Sequence, residues 1–163
     1  MTMALYSPED VIILVAGAYQ LEGLQDGSFV SISDSKERWI TTTSADGSVS
    51  RTHVKPSTHD IKVTLTSTSS SNSILSSWAT ADGILYGAVL PMIIKDTLGS
   101  TMFFTTECWI EKVPETTFST EITGREWVFK SSGGQLAVGG NEGGIGESFA
   151  SLGAIASTFS GLL

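Results

Sequence analysis

The chain has 163 residues, a formal net charge of −8 and only 16% charged residues. This length suits one domain with a single hydrophobic core. Lysine and arginine together number only 9, so the chain lacks the basic patches that release counterions from nucleic acid. The composition therefore argues against tight or sequence-specific DNA binding.

Residues that carry metal, redox or membrane chemistry are scarce in this chain. Cys108 is the only cysteine, so no intrachain disulfide can form. His53 and His59 lie in a polar stretch without a third ligand nearby, which predicts no metal site and no cofactor. The apolar run at 11–18 follows acidic residues and is too short to cross a membrane. The sequence therefore predicts a soluble, cytoplasmic chain with no membrane partner.

The first half of the chain alternates apolar residues with hydroxyl or charged residues, as β-strands do. The clearest strand, at 60–69, places Ile61, Val63 and Leu65 on one face. The segments 36–43 and 49–54 flank a glycine-containing loop, which predicts a hairpin. The hairpin is polar on both faces, so it is interpreted as an arm that finds its partner on another subunit. The other strands predicted in this half are 11–14, 19–21 and 29–33, with turns at 16–17 and 26–27.

One helix is predicted in the middle of the chain. Residues 69–72 carry hydroxyl and amide side chains that are typical of helix N-caps. Ile74, Leu75 and Trp78 form the apolar stripe of this helix, and Asp82-Gly83 is expected to end it. The strands predicted after the helix are 90–96, 101–113 and 116–130, with Gly124 expected as a bulge or bend.

The four tryptophans are the largest apolar side chains of this sequence. Trp78 is interpreted as a core residue that pins the helix to a sheet. Trp39, Trp109 and Trp127 fall on predicted strands. Each is expected in the core or in a subunit contact rather than on a platform for a ligand.

Two other classes of function have weak candidate residues. An enzyme would pair Glu107 with Glu111, or Glu121 with Glu126, as acid and base. The strand period places the first pair on a solvated face without the surroundings that tune an acid, so the chain is predicted not to be an enzyme. A carbohydrate-binding β-sandwich adhesin module would use Trp109 with Glu107 or Glu111.

The sequence changes character after Ser131, where glycines become frequent. This stretch is predicted to be a flexible connector, because its glycines break any regular element. It is not a phosphate loop, since it lacks the Gly-Lys-Ser/Thr ending. The chain is divided into a β domain at 1–141 and a C-terminal extension at 142–163. Apolar residues in the extension recur every three or four positions, as on one face of a helix. The extension is expected to dock on a neighbouring subunit through Phe149, Leu152, Ile155 and Phe159.

The order of these motifs resembles that of the tail tube proteins of contractile-tailed bacteriophages. The resemblance runs from about residue 6 to residue 141 and rests on the order and spacing of the motifs together. The motifs are Tyr6-Ser7-Pro8-Glu9-Asp10-Val11, Asp26-Gly27-Ser28-Phe29-Val30-Ser31-Ile32, Ala45-Asp46-Gly47, Val63-Thr64-Leu65, Ser71-Asn72-Ser73-Ile74-Leu75, Pro91-Met92-Ile93-Ile94-Lys95-Asp96, Glu107-Cys108-Trp109-Ile110 and Glu121-Ile122-Thr123-Gly124-Arg125-Glu126-Trp127. It implies a mainly β fold, a two-sheet β-sandwich or barrel with one flanking α-helix.

For function, the resemblance implies a structural subunit of a phage tail tube. Such subunits form rings, expected to be hexameric, which stack around a lumen through which DNA passes without sequence-specific binding. The implied partners are further copies of the chain, the tail sheath, and baseplate or terminator proteins. The implied location is the virion tail, after synthesis in the host cytoplasm. Inner tubes of bacteriocins and type VI secretion systems share this architecture and are the alternative within the same class.

Two expectations about surfaces follow from a tube role. The acidic chain suits a net-negative lumen in which DNA stays mobile. The arm is expected to make ring-to-ring contacts through Trp39, Asp46, Arg51 and Lys55. Its two cations would meet carboxylates of the next ring, in a chain otherwise short of positive charge.

Overall fold

A computed structural model describes residues 4–55 and 57–141. The described residues divide into a terminal unit, drawn from 4–20, 92–104 and 135–141, and a central unit, drawn from 21–55, 57–91 and 105–134. Over the described residues there are two sheets, of eight and two strands, and one α-helix, which confirms the predicted mainly β class. The elements are β1 Val11–Val15, β2 Tyr19–Gln20, β3 Val30–Asp34, β4 Trp39–Thr43, β5 Val49–His53, β6 Thr58–Thr66, α1 Ser71–Leu85, β7 Leu90–Asp96, β8 Met102–Lys112, β9 Gly124–Ser132 and β10 Gln135–Ala137, with a short 3-10 helix at Pro8–Asp10.

The terminal unit is built on β1, which pairs antiparallel with β2 and with β7. The tight turn between β1 and β2 has positive φ at both Ala16 and Gly17, as the sequence predicts for this bend. Strand β10 pairs with the first residues of β8. The buried apolar side chains of this unit are Ile13, Val15, Met92, Ile94 and Phe103.

The central unit contains antiparallel strands in the order β8-β9-β6-β3. β6 and β9 are in register from Thr58↔Ser132 to Thr66↔Gly124. Because side chains alternate between the two faces, one face carries the fully buried Ile61, Val63 and Leu65, as predicted. The helix covers this face: the rings of Trp78 and Phe129 lie 5.8 Å apart between their centroids.

The start of α1 is fixed by side chains rather than by its own N-cap. Ser70 makes no side-chain cap hydrogen bond, whereas the Ser69 hydroxyl accepts the Ser71 N–H at 3.2 Å. The indole N–H of Trp127 donates to the Asn72 side-chain oxygen at 2.9 Å, which ties the helix to β9. Trp78 is buried, so its prediction as a core residue is confirmed.

The structure corrects the predicted helix in two places. Ile74 is 43% exposed, whereas Leu75 and Trp78 are buried, so the predicted stripe is wrong at Ile74. The helix also does not end at Asp82-Gly83 but runs on to Leu85. The chain leaves the helix at Tyr86, whose N–H donates to the Asp82 carbonyl, so Asp82 belongs to the last turn rather than to the stop signal.

The predicted strand at 116–130 is wrong in its first half, because β9 begins only at Gly124. β6 ends at Thr66, and the chain then turns into the helix, so residues 116–123 have no strand to pair with. Gly124 is not a bulge; a Cβ there would meet the Gln25 side chain and lie 2.8 Å from the Thr64 methyl. The irregularity lies in β8, between Ile110 and Lys112.

The predicted flexible connector is ordered in its described part. Residues 135–137 form β10, which the glycine content did not predict. The Gly139 N–H donates to the Thr101 hydroxyl at 3.1 Å, and the Gly140 carbonyl accepts from both the N–H and the hydroxyl of Ser100. No helix in the described part of the chain is long and apolar enough to cross a membrane.

Candidate assembly surfaces

The arm, defined as β4 and β5 with their loop, is the most exposed regular element of the central unit. Its two strands pair with each other from Trp39↔His53 to Thr43↔Val49, and the two-stranded sheet contains no other strand. All ten strand residues are exposed. Both faces and both edges of the hairpin are therefore open to contact another molecule.

One face of the arm carries an aromatic and cationic cluster. The Arg51 guanidinium lies 4.2 Å from the centre of the Trp39 ring, within cation–π distance. The His53 ring lies opposite Trp39, with 4.7 Å between ring centroids. Trp39 is still 44% exposed. The three side chains hold one another in place while much of the indole surface stays available.

The tip of the arm is closed by its own hydrogen bonds. The Asp46 carboxylate accepts the hydroxyl of Ser48 at 2.7 Å and its N–H at 2.9 Å. These bonds hold the pKa of the Asp46 carboxyl below its usual value. Gly47 has φ +86°, a conformation that favours glycine. The Asp46 carboxylate therefore makes its hydrogen bonds within the loop.

Of the four arm residues predicted from sequence, the structure brings two into direct contact. Trp39 and Arg51 meet on one face. Asp46 lies in the loop, and the exposed Lys55 follows the end of β5. The four residues thus do not form one cluster: three lie along the arm, and Lys55 lies just beyond it.

Sequence reasoning missed an ion pair between β3 and the arm. Arg38 donates from Nε to Asp34 Oδ2 at 2.7 Å, and the buried His59 places Nε2 3.1 Å from Asp34 Oδ1. The Arg38 hydrogen bond and charge hold the pKa of the Asp34 carboxyl below its usual value. No spacing rule points to this pair, because residues 34–38 are a strand end and a bend rather than a helix. The ion pair fixes the residue that precedes the arm onto β3.

The weak candidates for chemistry have ordinary structural roles. The Trp109 indole N–H donates to the Glu111 carboxylate at 2.9 Å, and both Glu107 and Glu111 are exposed, as the strand period predicts. Cys108 is fully buried, and burial raises the pKa of its thiol to about 12, so it behaves as an apolar core residue. Among the described residues, no three His, Cys, Asp or Glu side chains are grouped to hold a metal.

The open face of the central sheet carries charges of both signs. Lys130 lies opposite Asp60 on neighbouring strands, with 3.6 Å between Nζ and Oδ1. On the same face, Lys62 follows Asp60 along β6, and Glu126 precedes Lys130 along β9. This face by itself does not form a uniformly acidic wall.

The predicted docking residues of the C-terminal extension lie outside the described part of the chain. They are Phe149, Leu152, Ile155 and Phe159.

Comparison with known proteins gives one relative by sequence and several by fold. No protein-family model matches the chain. It is 28% identical over 144 residues to "Structural protein ORF10" of Pseudomonas phage KPP10, which covers 84% of this chain and 83% of that protein.

Several solved structures of similar fold come from contractile injection systems. The PVC sheath/tube terminator of an extracellular contractile injection system aligns with a TM-score of 0.60 at 11% identity, over 85% of this chain and 100% of that one. The anti-feeding prophage tube-terminating cap aligns with a TM-score of 0.57 at 12% identity, over 85% and 94%. A chain of the PVC sheath–tube complex aligns with a TM-score of 0.54 at 12% identity, over 82% and 92%.

The chain thus shares its fold with components of contractile injection systems. The resemblance seen in the sequence is supported at a coarser level, as similarity to a structural protein of a phage. The similar protein from the phage is itself named a structural protein.

Proposed function

We propose that this chain is a structural subunit of the tail tube of a contractile-tailed bacteriophage. Copies of it form rings, expected to be hexameric, which stack around a lumen through which genomic DNA passes. The observation that carries this proposal is the arm, a hairpin with every strand residue exposed and an aromatic–cation cluster already in place. A hairpin of this kind gains little from its own chain and suits a contact that assembly completes.

The arm is proposed to connect one ring with the next. Trp39 supplies the large, partly exposed aromatic surface that is typical of interface hot spots. Arg51, beside it, and Lys55 would pair with carboxylates of the neighbouring ring. Each exposed pair contributes only about 0–1 kcal/mol, but ring symmetry repeats the contact once per subunit.

A second candidate within the same particle is a tube terminator. Two of the similar structures are a terminator and a terminating cap. A terminator ends the tube and forms one ring, whereas a tube subunit adds rings indefinitely. Electron micrographs of the concentrated protein in several salts distinguish the two, since long tubes support the tube role and isolated rings support the terminator role.

The arm itself is tested by shortening it. Deleting residues 45–50 should leave a folded subunit, by circular dichroism and urea unfolding, that does not elongate. The matched pair Trp39→Ser and Ile40→Ser then asks which face of the arm is used. These neighbours lie on opposite faces with similar exposure. Tubes of normal length from the deletion variant would contradict the assignment.

Further parts of the proposal concern the lumen and the extension. The lumen wall is proposed to be net negative, so that phosphates are repelled and DNA slides; a resolved assembly lined mainly by lysine and arginine would contradict this.

The extension at 142–163 is proposed to dock on a neighbouring copy through Phe149, Leu152, Ile155 and Phe159. Truncation after Asn141 should then shorten the tubes or lower their heat resistance. The proposed partners are sheath and baseplate or terminator proteins in the virion tail.

A further inference from the structure

The tripeptide Asp-Gly-Ser occurs twice in this chain, at 26–28 and at 46–48, and a third Asp-Gly pair lies at 82–83. In such a pair the glycine nitrogen can attack the Cγ carbon of the aspartate side chain, because glycine has no Cβ to hinder the approach. The attack requires the two groups to lie within contact distance and in a suitable orientation. The local structure therefore decides which of the three pairs reacts.

In the first tripeptide, the reacting groups lie against each other. The Gly27 N–H donates to Oδ1 of Asp26 at 3.0 Å, so the attacking nitrogen lies beside the carboxyl group that contains the target carbon. Both residues are exposed, so water can remove the amide proton. Gly27 has φ +92°, and a Cβ built on it would meet nothing within 4 Å. The backbone of this pair thus has room to rearrange.

In the second tripeptide, hydrogen bonds engage the same groups elsewhere. The Gly47 N–H donates to the Ser44 carbonyl at 3.0 Å, so its nitrogen is held in the turn of the arm. The Ser48 hydroxyl and N–H both donate to the Asp46 carboxylate. These bonds, the hydroxyl first, lower the pKa of the Asp46 carboxyl and keep it ionised, and an ionised carboxylate is a poor target for a nucleophile. Several bonds must therefore open before this pair can react.

The third pair is held by the helix. Gly83 lies within α1, where each N–H donates to the carbonyl four residues earlier, so its nitrogen is fixed along the helix axis. The Asp82 carboxylate also accepts the Ala88 N–H at 3.0 Å. Both reacting groups of this pair are thus engaged, as they are in the second tripeptide.

We propose that Asp26 is a site of spontaneous covalent modification, at which aspartate is converted to isoaspartate. The Gly27 nitrogen forms a bond to Cγ of the protonated Asp26 carboxyl, and its hydroxyl leaves with the amide proton as water, which gives a five-membered succinimide. Water then adds to one of the two ring carbonyls. Opening at the α-carbonyl gives isoaspartate, with the main chain running through Cγ, whereas opening at Cγ restores aspartate. Water is the only co-reactant, and nothing is oxidised or reduced.

The modification lengthens the main chain by one methylene between two anchored residues. The Gln25 N–H donates to the Thr64 carbonyl at 3.0 Å, and the Phe29 carbonyl accepts the Thr64 N–H at 2.8 Å. Both ends of the loop at 26–28 are thus bound to the same residue of β6. We expect the loop to bulge around the extra methylene while β3 keeps its register with β6.

Incubation of the full-length chain under native conditions, followed by peptide mapping with electron-based fragmentation, tests the proposal. The fraction of isoaspartate at Asp26 should exceed that at Asp46 by on the order of ten-fold, because hydrogen bonds must open before Asp46 can react. The same incubation in guanidinium chloride is the matched control, since unfolding removes the structural difference between two identical tripeptides. In the unfolded chain the two sites should react to a similar extent.

Three variants identify the groups responsible. Asp26→Glu should abolish the modification, because the longer side chain moves its carboxyl carbon away from the nitrogen. Ser48→Ala removes the hydroxyl that donates to Asp46, so isoaspartate at Asp46 should rise several-fold. Ser28→Ala is the matched change in the first tripeptide. It should leave the fraction at Asp26 unchanged, because the described structure shows no hydrogen bond between Ser28 and Asp26.

The outcomes are decisive in both directions. Equal isoaspartate at the two tripeptides of the native chain overturns the proposal, and so does a native chain modified mainly at Asp46, mainly at Asp82 or nowhere. An excess at Asp26 that persists in guanidinium chloride would assign the difference to flanking residues rather than to the fold, and it also overturns the proposal. None of these outcomes bears on the tube function, which the micrographs test separately.

Discussion

Strand β6 and the arm are both rich in threonine and both form antiparallel pairs, yet they lie in opposite environments. β6 pairs with a neighbour on each side and lies under α1, and its inward residues Ile61, Val63 and Leu65 are fully buried. In the arm, no strand residue is buried. The comparison teaches that β-forming residues are enough to specify a strand. The number of strands and helices that pack against it then decides whether the strand stabilises the monomer or stays exposed to contact another molecule.

The strongest test of this difference between the buried sheet and the arm replaces one tryptophan in each region with alanine. Trp127→Ala should lower the free energy of unfolding by about 3–5 kcal/mol, because it removes a fully packed ring from the core. It also removes the indole donor to Asn72. Trp39→Ala should change the same quantity by only about 0.5 kcal/mol, as for other exposed positions, while preventing assembly. Urea unfolding and electron microscopy measure the two effects, and equal losses of stability would contradict the distinction.

A smaller effect is expected from neighbouring positions on α1. Leu75→Ala should cost about 2–4 kcal/mol of unfolding free energy, because Leu75 is 1% exposed. Ile74→Ala, at an exposed position, should cost less than about 1 kcal/mol. Thermal unfolding of both variants against the native chain gives the measurement. A loss at Ile74 as large as that at Leu75 would mean that the exposed side of the helix is packed.

The ion pair that precedes the arm should make stability depend on pH in the acid range. The pKa of the Asp34 carboxyl is lowered in the folded chain, first by the Arg38 hydrogen bond. Its stabilising contribution is therefore fully present above the unfolded value of about 4 and is lost as pH falls through the folded value. Asp34→Asn should flatten this part of the stability curve. Urea unfolding between neutral and acid pH checks it; an unchanged slope would show that Asp34 contributes nothing.

The smallest effect is expected at the tip of the arm. Asp46→Ala removes the acceptor of the Ser48 N–H and hydroxyl, so the Ser48 amide should exchange faster with solvent. The urea midpoint of the whole chain should not move, because the loop is exposed. Asp46→Asn keeps an acceptor oxygen and serves as the control. In the native chain, NMR titration should find the pKa of the Asp46 carboxyl below the usual aspartate value.

The strands were predictable where runs of β-forming residues are bounded by turn signals. The predicted strand at 90–96 matches β7 at both ends, and the predicted hairpin matches β4 and β5 around their loop. The arm residues Trp39 and Arg51 were named from sequence, although their direct contact was not. Alternation places both on one face, but only the register, which sets Thr41 opposite Arg51, shows that they are diagonal neighbours.

The errors arose where partners distant in sequence decide the structure. Residues 116–123 alternate like a strand but have no partner strand beside them. Gly133, Gly139 and Gly140 suggested a flexible segment, yet hydrogen bonds to Ser57, Ser100 and Thr101 hold it in place. The last turn of α1 was not predicted, because Asp82-Gly83 gives a stop signal and the bond from Trp78 to Ala88 cannot be read from the sequence.

The pairing of β6 with β9 has a consequence for the order of folding. The register partners His59 and Ser131 are 72 residues apart along the chain, so the core cannot close until most of the polypeptide has left the ribosome. The arm needs only its own loop, and hairpins of this kind form in about 1–10 μs. If the arm is the proposed contact between rings, a nascent chain presents that contact before its body is complete. Premature association is then the expected risk, and the polar threonines and serines of the arm keep such early encounters weak.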